Sequence, residues 1–324
     1  MSVTSFDVAK AAGVSRATVS YVLNDSPGRV SAETRAHVLR IARELGYQPS
    51  ALGRQLQRGR SNTVLFPHPR LEMNHALATA LDAISLALAR RGLSLVRDLV
   101  VHDEPVTQAS AWAELAPAAV LDLALHQEDE ALQLLRQRGI PVLSAALPHV
   151  LPWESSGEVF ARELRLEQLR HLLSRGHRRI SWLIPASIPI DPRSEKQLLA
   201  DAKALAAAAG GKVEVLRVDV DEIAAVVAGW RTLPDAVMAY NDSWAVVALT
   251  ALQHRGVRVP HEVAIIGADD EPIARAVTPA LTTIAGEFDA FAAAVADAVQ
   301  AVLAGRPADP LPVPTLRLIQ RDSG

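Results

Sequence analysis

The side chains whose types and spacing best suit a chemical role lie near the start of the chain. Arg16, Ala17 and Tyr21 are spaced to share the outer face of one short helix. An arginine near the N-terminal end of such a face suits hydrogen bonding to base edges in a DNA major groove. Five more polar side chains are placed to contact phosphates, two of them near a helix N-terminus: Ser5, Ser15, Thr18, Ser20 and Asn24. The predicted chemistry is therefore binding of double-stranded DNA.

Short helices must position these side chains. Thr4 and Ser15 are N-cap residue types at the starts of two helical segments, which meet at Gly13-Val14-Ser15. Six apolar residues recur on one shared face: Val8, Ala12, Val14, Val19, Val22 and Leu23. A third helix, at roughly residues 32–45, follows a cap at Ser31. The pattern predicts a helix-turn-helix head, and the alternative is an ordinary helical corner without a DNA-binding role.

The charge distribution favours the DNA-binding interpretation. Residues 1–60 contain nine Lys and Arg against four Asp and Glu, although the whole chain has a net charge of −3. The basic segment coincides with the predicted head, so phosphate attraction is concentrated at one end of an otherwise acidic protein. A randomly charged surface would not be expected to coincide with the helices in this way.

Composition limits the remaining functional classes. A chain of 324 residues with 49% hydrophobic and 21% charged residues is typical of a soluble globular protein with several domains. Zero cysteines exclude disulfides and cysteine-based metal sites. We find no bilayer-length apolar run and no secretory leader, which predicts a cytoplasmic protein with no membrane partner. No HExxH, GxSxG or Walker motif occurs, so we predict no catalytic residue, metal or cofactor.

Residues 48–61 form a candidate hinge between the head and the rest of the chain. Leu52 and Leu56 lie four residues apart, as they would on one face of a helix, and Arg54 adds positive charge. So short a helix is marginal in isolation because helix nucleation is costly. The alternative is a flexible arginine-rich linker.

Beyond the hinge, short apolar runs alternate with amphipathic segments, which is typical of parallel α/β layers. The predicted strands are at residues 63–66, 94–97, 119–123, 141–144, 180–184, 213–217, 236–239 and 263–267. The predicted helices are at residues 76–91, 128–138, 164–175, 195–209, 243–255 and 288–304. Two doubly wound lobes of this size would enclose a cleft at the carboxyl ends of their strands.

Several motifs resemble the lactose-repressor (LacI/GalR) family of transcription factors. In the head these are Thr4 to Ala9, Ala12 to Ser15, Thr18 to Ser20, and Leu45 to Pro49. In the body they are Leu172 to Ile180, Pro234 to Asp242, Val257 to Asp270, and Thr278 to Ile284. The resemblance implies an all-α helix-turn-helix head on a periplasmic-binding-protein-like α/β body. It also implies a bacterial protein, associated with the nucleoid when bound to DNA, and a hinge that inserts Leu56 into the minor groove.

On this basis we predict four regions. Residues 1–47 form the DNA-binding head and residues 48–61 the hinge. Residues 62–158 with 288–324 form the N-terminal lobe, and residues 159–287 form the C-terminal lobe. No leucine heptads follow the last motif, so a homodimer on a palindromic operator is expected. The predicted function is a repressor controlled by a small-molecule effector, with an architectural DNA-binding protein as the alternative.

The cleft residues leave the effector open. The resemblance places Asn241 and Asp269 where sugar hydroxyls are bound, and Arg193 where an effector-binding arginine falls; we interpret Asp242 and Asp270 as helix caps. A sugar would be held by Arg193, Asn241 and Asp269 together with an aromatic ring, either Trp153 or Trp244. An anionic ligand would instead be attracted by His68, Arg70 and Arg193. A third interpretation is a cleft that binds no effector.

Overall fold

The computed structural model describes residues 3–23, 29–47, 61–68, 74–122, 130–144, 156–186 and 192–324. The chain forms two compact units, Met1–Asn62 and Thr63–Gly324, called here the head and the body. Within the described ranges, no helix is both long enough and apolar enough to cross a membrane.

Three helices make up the described head: α1 (Ser5–Ala12), α2 (Arg16–Leu23) and α3 (Ala32–Glu44). Their apolar faces share one small core, in which Val8, Val19 and Val38 are fully buried. One fully buried valine comes from each helix, so each helix depends on the other two for its burial.

The first lobe of the body contains a parallel sheet with strand order β2-β1-β3-β4. Its elements are β1 (Thr63–His68), α4 (His75–Ala89), β2 (Ser94–Leu99), α5 (Pro105–Glu114), β3 (Ala119–Asp122), α6 (Glu130–Gln137) and β4 (Val142–Ser144). Alternate residues of β1 face opposite sides of the sheet. Val64 packs with Ile84 of α4, whereas Leu65 packs with Trp112 of α5. Helices therefore cover both faces of the sheet, as a doubly wound lobe requires.

The second lobe contains a six-stranded sheet with order β10-β9-β8-β7-β5-β6. Its elements are α7 (Ser156–Ser174), β5 (Arg179–Pro185), α8 (Pro192–Ala208), β6 (Lys212–Val218), α9 (Ile223–Gly229), β7 (Ala236–Met238), α10 (Asp242–His254), β8 (Ala264–Ala268), β9 (Thr282–Glu287) and β10 (Thr315–Ile319). All pairings are parallel except that of β10 with β9. One core forms around Trp182 on the α7 face and another around Leu183 on the α10 face.

The chain crosses between lobes at α11 (Asp289–Leu303). Phe291, Val295 and Val299 of this helix are buried in the core of the first lobe. The segment then returns, because β10 pairs with β9 in the second sheet. This strand corrects the prediction that residues 288–324 lie in the N-terminal lobe. It pairs antiparallel with β9 and so covers an edge of β9 that would otherwise be open.

The two lobes also pack directly on each other. Ala80 of α4 is buried in the same core as Phe160 of α7 and Phe288, which precedes α11. The small alanine side chain allows the first-lobe helix to lie close to the second lobe. The edges of the interlobe cleft are therefore connected by an apolar contact.

Candidate DNA-binding head and interlobe site

A capping box fixes the first helix of the head. The Asp7 carboxylate accepts hydrogen bonds from the Thr4 backbone N–H at 2.8 Å and from the Thr4 hydroxyl at 2.7 Å. The hydroxyl bond from Thr4 is the main cause that lowers the pKa of Asp7. Gly13, at φ 65°, ends α1 in the left-handed conformation that a tight turn into α2 requires.

The second helix presents the predicted base-reading face. Ser15 Oγ accepts a hydrogen bond from the Thr18 backbone N–H at 3.0 Å. Arg16, Ala17 and Tyr21 are all exposed. Ser15 thus satisfies one of the free N–H groups at the start of α2 and orients this outward surface.

Sequence reasoning missed one contact on this face. The guanidinium carbon of Arg29 lies 5.7 Å from the centre of the Tyr21 ring, a cation–π distance. Arg29 comes after α2 in the chain, so helix periodicity gave no signal for the pair. The arginine adds a second positive charge beside the exposed Tyr21 ring.

The interlobe site is built at the carboxyl ends of β7 and β8. Asn241 caps α10, because its Oδ1 accepts a hydrogen bond from the Trp244 backbone N–H at 3.0 Å. Its amide nitrogen is still a potential donor. Trp244 packs edge-on against Tyr240, with ring centres 5.7 Å apart. The structure therefore brings Asn241 and Trp244 into one region, beside a second aromatic ring.

Asp242 is fully buried and does not cap α10, which corrects the interpretation made from sequence. Its Oδ2 accepts a hydrogen bond from the Glu271 backbone N–H at 2.8 Å. Its other oxygen faces Gly267, where a Cβ atom would lie only 2.0 Å away. Burial raises the pKa of Asp242 to about 8, and the carboxylates of Glu271 and Asp269 add to the rise. The side chain is therefore mostly protonated at neutral pH.

Asp269 is the most strained of the predicted site residues. Its φ of 88° lies in the left-handed region, which non-glycine residues rarely adopt. Burial raises its pKa to about 6, while the positive charge of Arg165 and the backbone N–H of Ala76 oppose the rise. Ala76 belongs to α4 of the first lobe. Asp269 therefore spans the cleft and is an ionised hydrogen-bond acceptor at neutral pH.

Asp270 is not a helix cap either. Its carboxylate accepts hydrogen bonds from the guanidinium groups of Arg275, at 2.8 Å, and Arg321, at 2.5 Å. Arg321 also donates to the Leu281 carbonyl at 2.8 Å. The side chain thus ties the loop after β8 to the segment after β10.

Arg165 on α7 is a site residue that sequence reasoning missed. It donates to Gln168 Oε1 at 3.0 Å and to the Tyr240 carbonyl at 2.5 Å. Its guanidinium carbon lies 4.7 Å from the Tyr240 ring centre. Gln168 in turn donates to the carbonyls of Ala239 and Gly267, at 3.0 and 2.7 Å. A polar side chain within the apolar stripe of a helix, such as Gln168, is the signal that could have revealed this network.

The remaining predicted residues are more dispersed. His68 is buried at the end of β1, with its ring 5.7 Å from that of Phe66. Arg193 is exposed in the first turn of α8. Six predicted residues lie outside the described part of the chain: Asn24, Leu52, Arg54, Leu56, Arg70 and Trp153. Within the described part, no group of three or more His, Asp or Glu side chains is arranged to hold a metal ion.

Two family models match the chain. Residues 6–50 match "Bacterial regulatory proteins, lacI family", and residues 169–324 match "Periplasmic binding protein-like domain". The transcriptional regulator CelR of Thermobifida fusca is 30% identical over 294 residues, which cover 86% of this chain and 85% of CelR. GalS of Salmonella typhimurium is 31% identical over 302 residues, which cover 87% of this chain and 84% of GalS.

Solved structures give the same result for the fold. A lac repressor dimer bound to operator and the anti-inducer ONPF superposes with a TM-score of 0.75 at 24% identity, covering 100% of this chain and 99% of that one. A CelR–cellobiose complex superposes with a TM-score of 0.64 at 26% identity, covering 99% of this chain and 100% of that one. The helical head and two-lobed α/β body predicted from sequence are thereby confirmed.

Proposed function

Since this chain belongs to the LacI family of DNA-binding transcriptional regulators, we propose that it is a repressor that binds a palindromic operator as a homodimer. A small molecule in the interlobe cleft controls it, and it acts in the bacterial cytoplasm, on the nucleoid. The observation that carries the proposal is the outward face of α2, where exposed Arg16, Ala17 and Tyr21 follow a capped N-terminus.

In this proposal α2 enters the major groove. Arg16 donates to a guanine edge, and Tyr21 combines one hydrogen bond with apolar contact to a thymine methyl. Arg29 holds the Tyr21 ring by its cation–π contact. Four hydroxyls and one amide bind phosphates: Ser5, Ser15, Thr18, Ser20 and Asn24. The hydroxyls of Ser15 and Thr18 already bond each other at 2.9 Å but retain acceptor and donor capacity.

The hinge transmits the state of the body to the operator. Residues 48–61 become helical on DNA, Leu52 and Leu56 face the minor groove, and Arg54 contacts phosphate. A leucine wedge unstacks a base step and bends the duplex. We assign DNA binding to residues 1–47 and place crossings between the lobes near residues 158 and 287, in addition to the return of the chain at β10.

The cleft is proposed to bind a sugar or a related polyhydroxyl metabolite. Asp269 is partly buried and its pKa of about 6 leaves it ionised at neutral pH, so hydroxyl groups that donate to it would stabilise its charge. Asn241 supplies an amide nitrogen, and the half-buried Trp244 supplies a ring face. Arg193 and Trp153 complete the proposed sugar site. An anionic effector held by His68, Arg70 and Arg193 is less favoured, because the Asp269 and Glu271 carboxylates would repel it.

Operator binding tests the proposal. The half-site is first selected from random DNA, and its affinity is then measured by fluorescence anisotropy at fixed salt. Arg16→Ala is expected to weaken binding by about tenfold or more, the usual cost of one arginine–guanine contact. Arg90→Ala is the matched control, because Arg90 is an exposed arginine at the end of α4 in the body. Equal affinity for all DNA sequences would instead indicate an architectural protein.

Effector control needs a separate experiment. Thermal-shift screening of sugars and anionic metabolites identifies a ligand, since binding to the folded state raises the unfolding midpoint. Operator affinity is then measured with and without that ligand. The expected coupling is about 1–3 kcal/mol and reciprocal, so operator DNA must change ligand affinity by the same factor. Identical ligand affinities with and without operator would contradict effector control.

A further inference from the structure

A second pocket lies on the body, away from the interlobe cleft. It is a partly open cavity of about 470 Å³, which is within the usual size range of small-molecule sites. Three chain segments line it: the turn between α7 and β5, the loop before β8, and the segment after β10. Both β5 and β8 begin here, whereas Asn241 and Asp269 follow the carboxyl ends of β7 and β8. The pocket is therefore at the opposite edge of the second sheet.

The wall formed after β10 is held firmly to the sheet. Ser323 is fully buried. Its carbonyl accepts from the Ile265 backbone N–H at 2.7 Å, and its hydroxyl accepts from the Thr282 N–H at 2.9 Å. The Asp322 N–H bonds the Ala280 carbonyl at 3.1 Å. These bonds preorganise the wall, which reduces the entropic cost of ligand binding.

Basic side chains converge on this pocket. Its lining includes Arg175, His177, His261 and Arg321, with one acidic side chain, Asp322, and the backbone of Gly324. Arg321 is already paired with Asp270. Arg175 and His261 are exposed, and within the described ranges neither side chain forms a hydrogen bond. A guanidinium and an imidazole ring are thus available to a ligand.

The charge of Arg175 acts on two neighbouring histidines. Burial lowers the pKa of His171, which lies on α7 beside the pocket, and the positive charge of Arg175 lowers it further. Burial also lowers the pKa of His177; Arg175 and Arg178 add to the effect, while Asp235 opposes it. The positive charge of Arg175, which acts on both rings, would attract an anion.

We propose that this pocket is a second small-molecule site, which binds a phosphorylated metabolite through the Arg175 guanidinium and the His261 ring. A planar guanidinium fork matches phosphate oxygens in a bidentate manner, and an imidazole supplies a further donor. His177 supplies another ring nitrogen to the same cavity.

The test uses the full-length protein and pyrophosphate as the probe, titrated by isothermal calorimetry in a phosphate-free buffer at low salt. Saturable binding is expected, and Arg175→Ala and His261→Ala should each weaken it by about tenfold, as loss of a charge-assisted bond does. Arg231→Ala is the matched control, because Arg231 is an exposed arginine elsewhere in the second lobe. Unchanged circular dichroism and unfolding midpoints establish that the variants fold.

Three results would overturn the proposal. They are no saturable binding, equal binding by all these variants, and loss of binding in Asp269→Asn, which would place pyrophosphate in the interlobe cleft. The titration does not involve DNA. Failure of operator binding would therefore refute the proposed repressor function and leave this inference intact. Failure of the pyrophosphate titration would refute this inference and leave the proposed repressor function intact.

Discussion

Replacing Asp242 by asparagine should change how the free energy of unfolding depends on pH. In the folded protein the pKa of Asp242 is about 8, because the side chain is buried, whereas its ordinary value is 3.8. The native state therefore retains a proton that the unfolded chain has lost. This contribution to stability is fully present below pH 3.8 and is lost as pH rises through about 8.

The size of the effect follows from linkage. Between the two pKa values, one extra proton in the native state lowers the free energy of unfolding by about 1.4 kcal/mol per pH unit. From pH 6 to pH 8 the wild type should lose about 2 kcal/mol relative to Asp242→Asn, since the slope flattens near the native pKa. Asparagine retains an acceptor oxygen for the Glu271 N–H. The contribution of Asp269 is common to both proteins and largely cancels.

Urea unfolding at pH 6, 7 and 8 measures this difference, with Trp182 and Trp244 fluorescence reporting on the second lobe. Asp235→Asn is the matched control. Burial acts to raise the Asp235 pKa, but hydrogen bonds from the Arg178 and Arg179 N–H groups and from the Arg179 guanidinium together outweigh it and lower the pKa. The stabilising effect of the ionised Asp235 is lost only as pH falls below 3.8. The loss of unfolding free energy caused by Asp235→Asn should therefore be constant from pH 6 to 8. Parallel pH profiles for wild type and Asp242→Asn would refute the raised pKa.

Three further predictions concern packing, the cleft and the head. Gly267→Ala places a Cβ atom 2.0 Å from the Asp242 carboxylate and should destabilise the body by about 1–3 kcal/mol in urea unfolding. Gly229→Ala is the control, because a Cβ atom there would have no neighbouring atom within 4 Å. Equal urea midpoints for the two variants would contradict the close packing of Gly267 against Asp242. Affinity for a hydroxyl-bearing effector should fall as pH drops through the Asp269 pKa of about 6, measured by calorimetry; Asp269→Asn should abolish this dependence, and a flat wild-type profile would exclude the carboxylate as ligand. Thr4→Ala should lower head stability by about 1 kcal/mol in thermal unfolding followed by circular dichroism, and an unchanged midpoint would show that the capping box contributes nothing.

Local signals in the sequence were sufficient for much of the fold. Capping residues and apolar periodicity located α1, α2 and α3, since these patterns act within one or two helical turns. Alternating apolar runs located β1 to β8. The strands β9 and β10 and the helices α5 and α9 were missed. Of these, β10 is an edge strand with little buried surface, and the two helices are short and depend on tertiary packing.

The candidate site was only partly predictable. Asn241 and Asp269 could be identified because the motifs around them resemble those of the family. The structure places both after the carboxyl ends of parallel strands, which meet at one edge of the sheet. Asp242 was interpreted as a cap, because the sequence contains no information on which of two adjacent polar residues faces Gly267. Arg165 was missed, since its partner Tyr240 is 75 residues away.

The sequence by itself determined the outward face of α2, with Arg16 and Tyr21, and the family to which the chain belongs. These properties depend on neighbours a few residues apart, whose relative positions a helix sets. Only the tertiary structure decided that Asp269 spans the cleft to α4, that Asp242 retains its proton, and that Arg175 and His261 share a pocket. Burial and long-range charge determine these properties, and both exist only once distant segments have packed together.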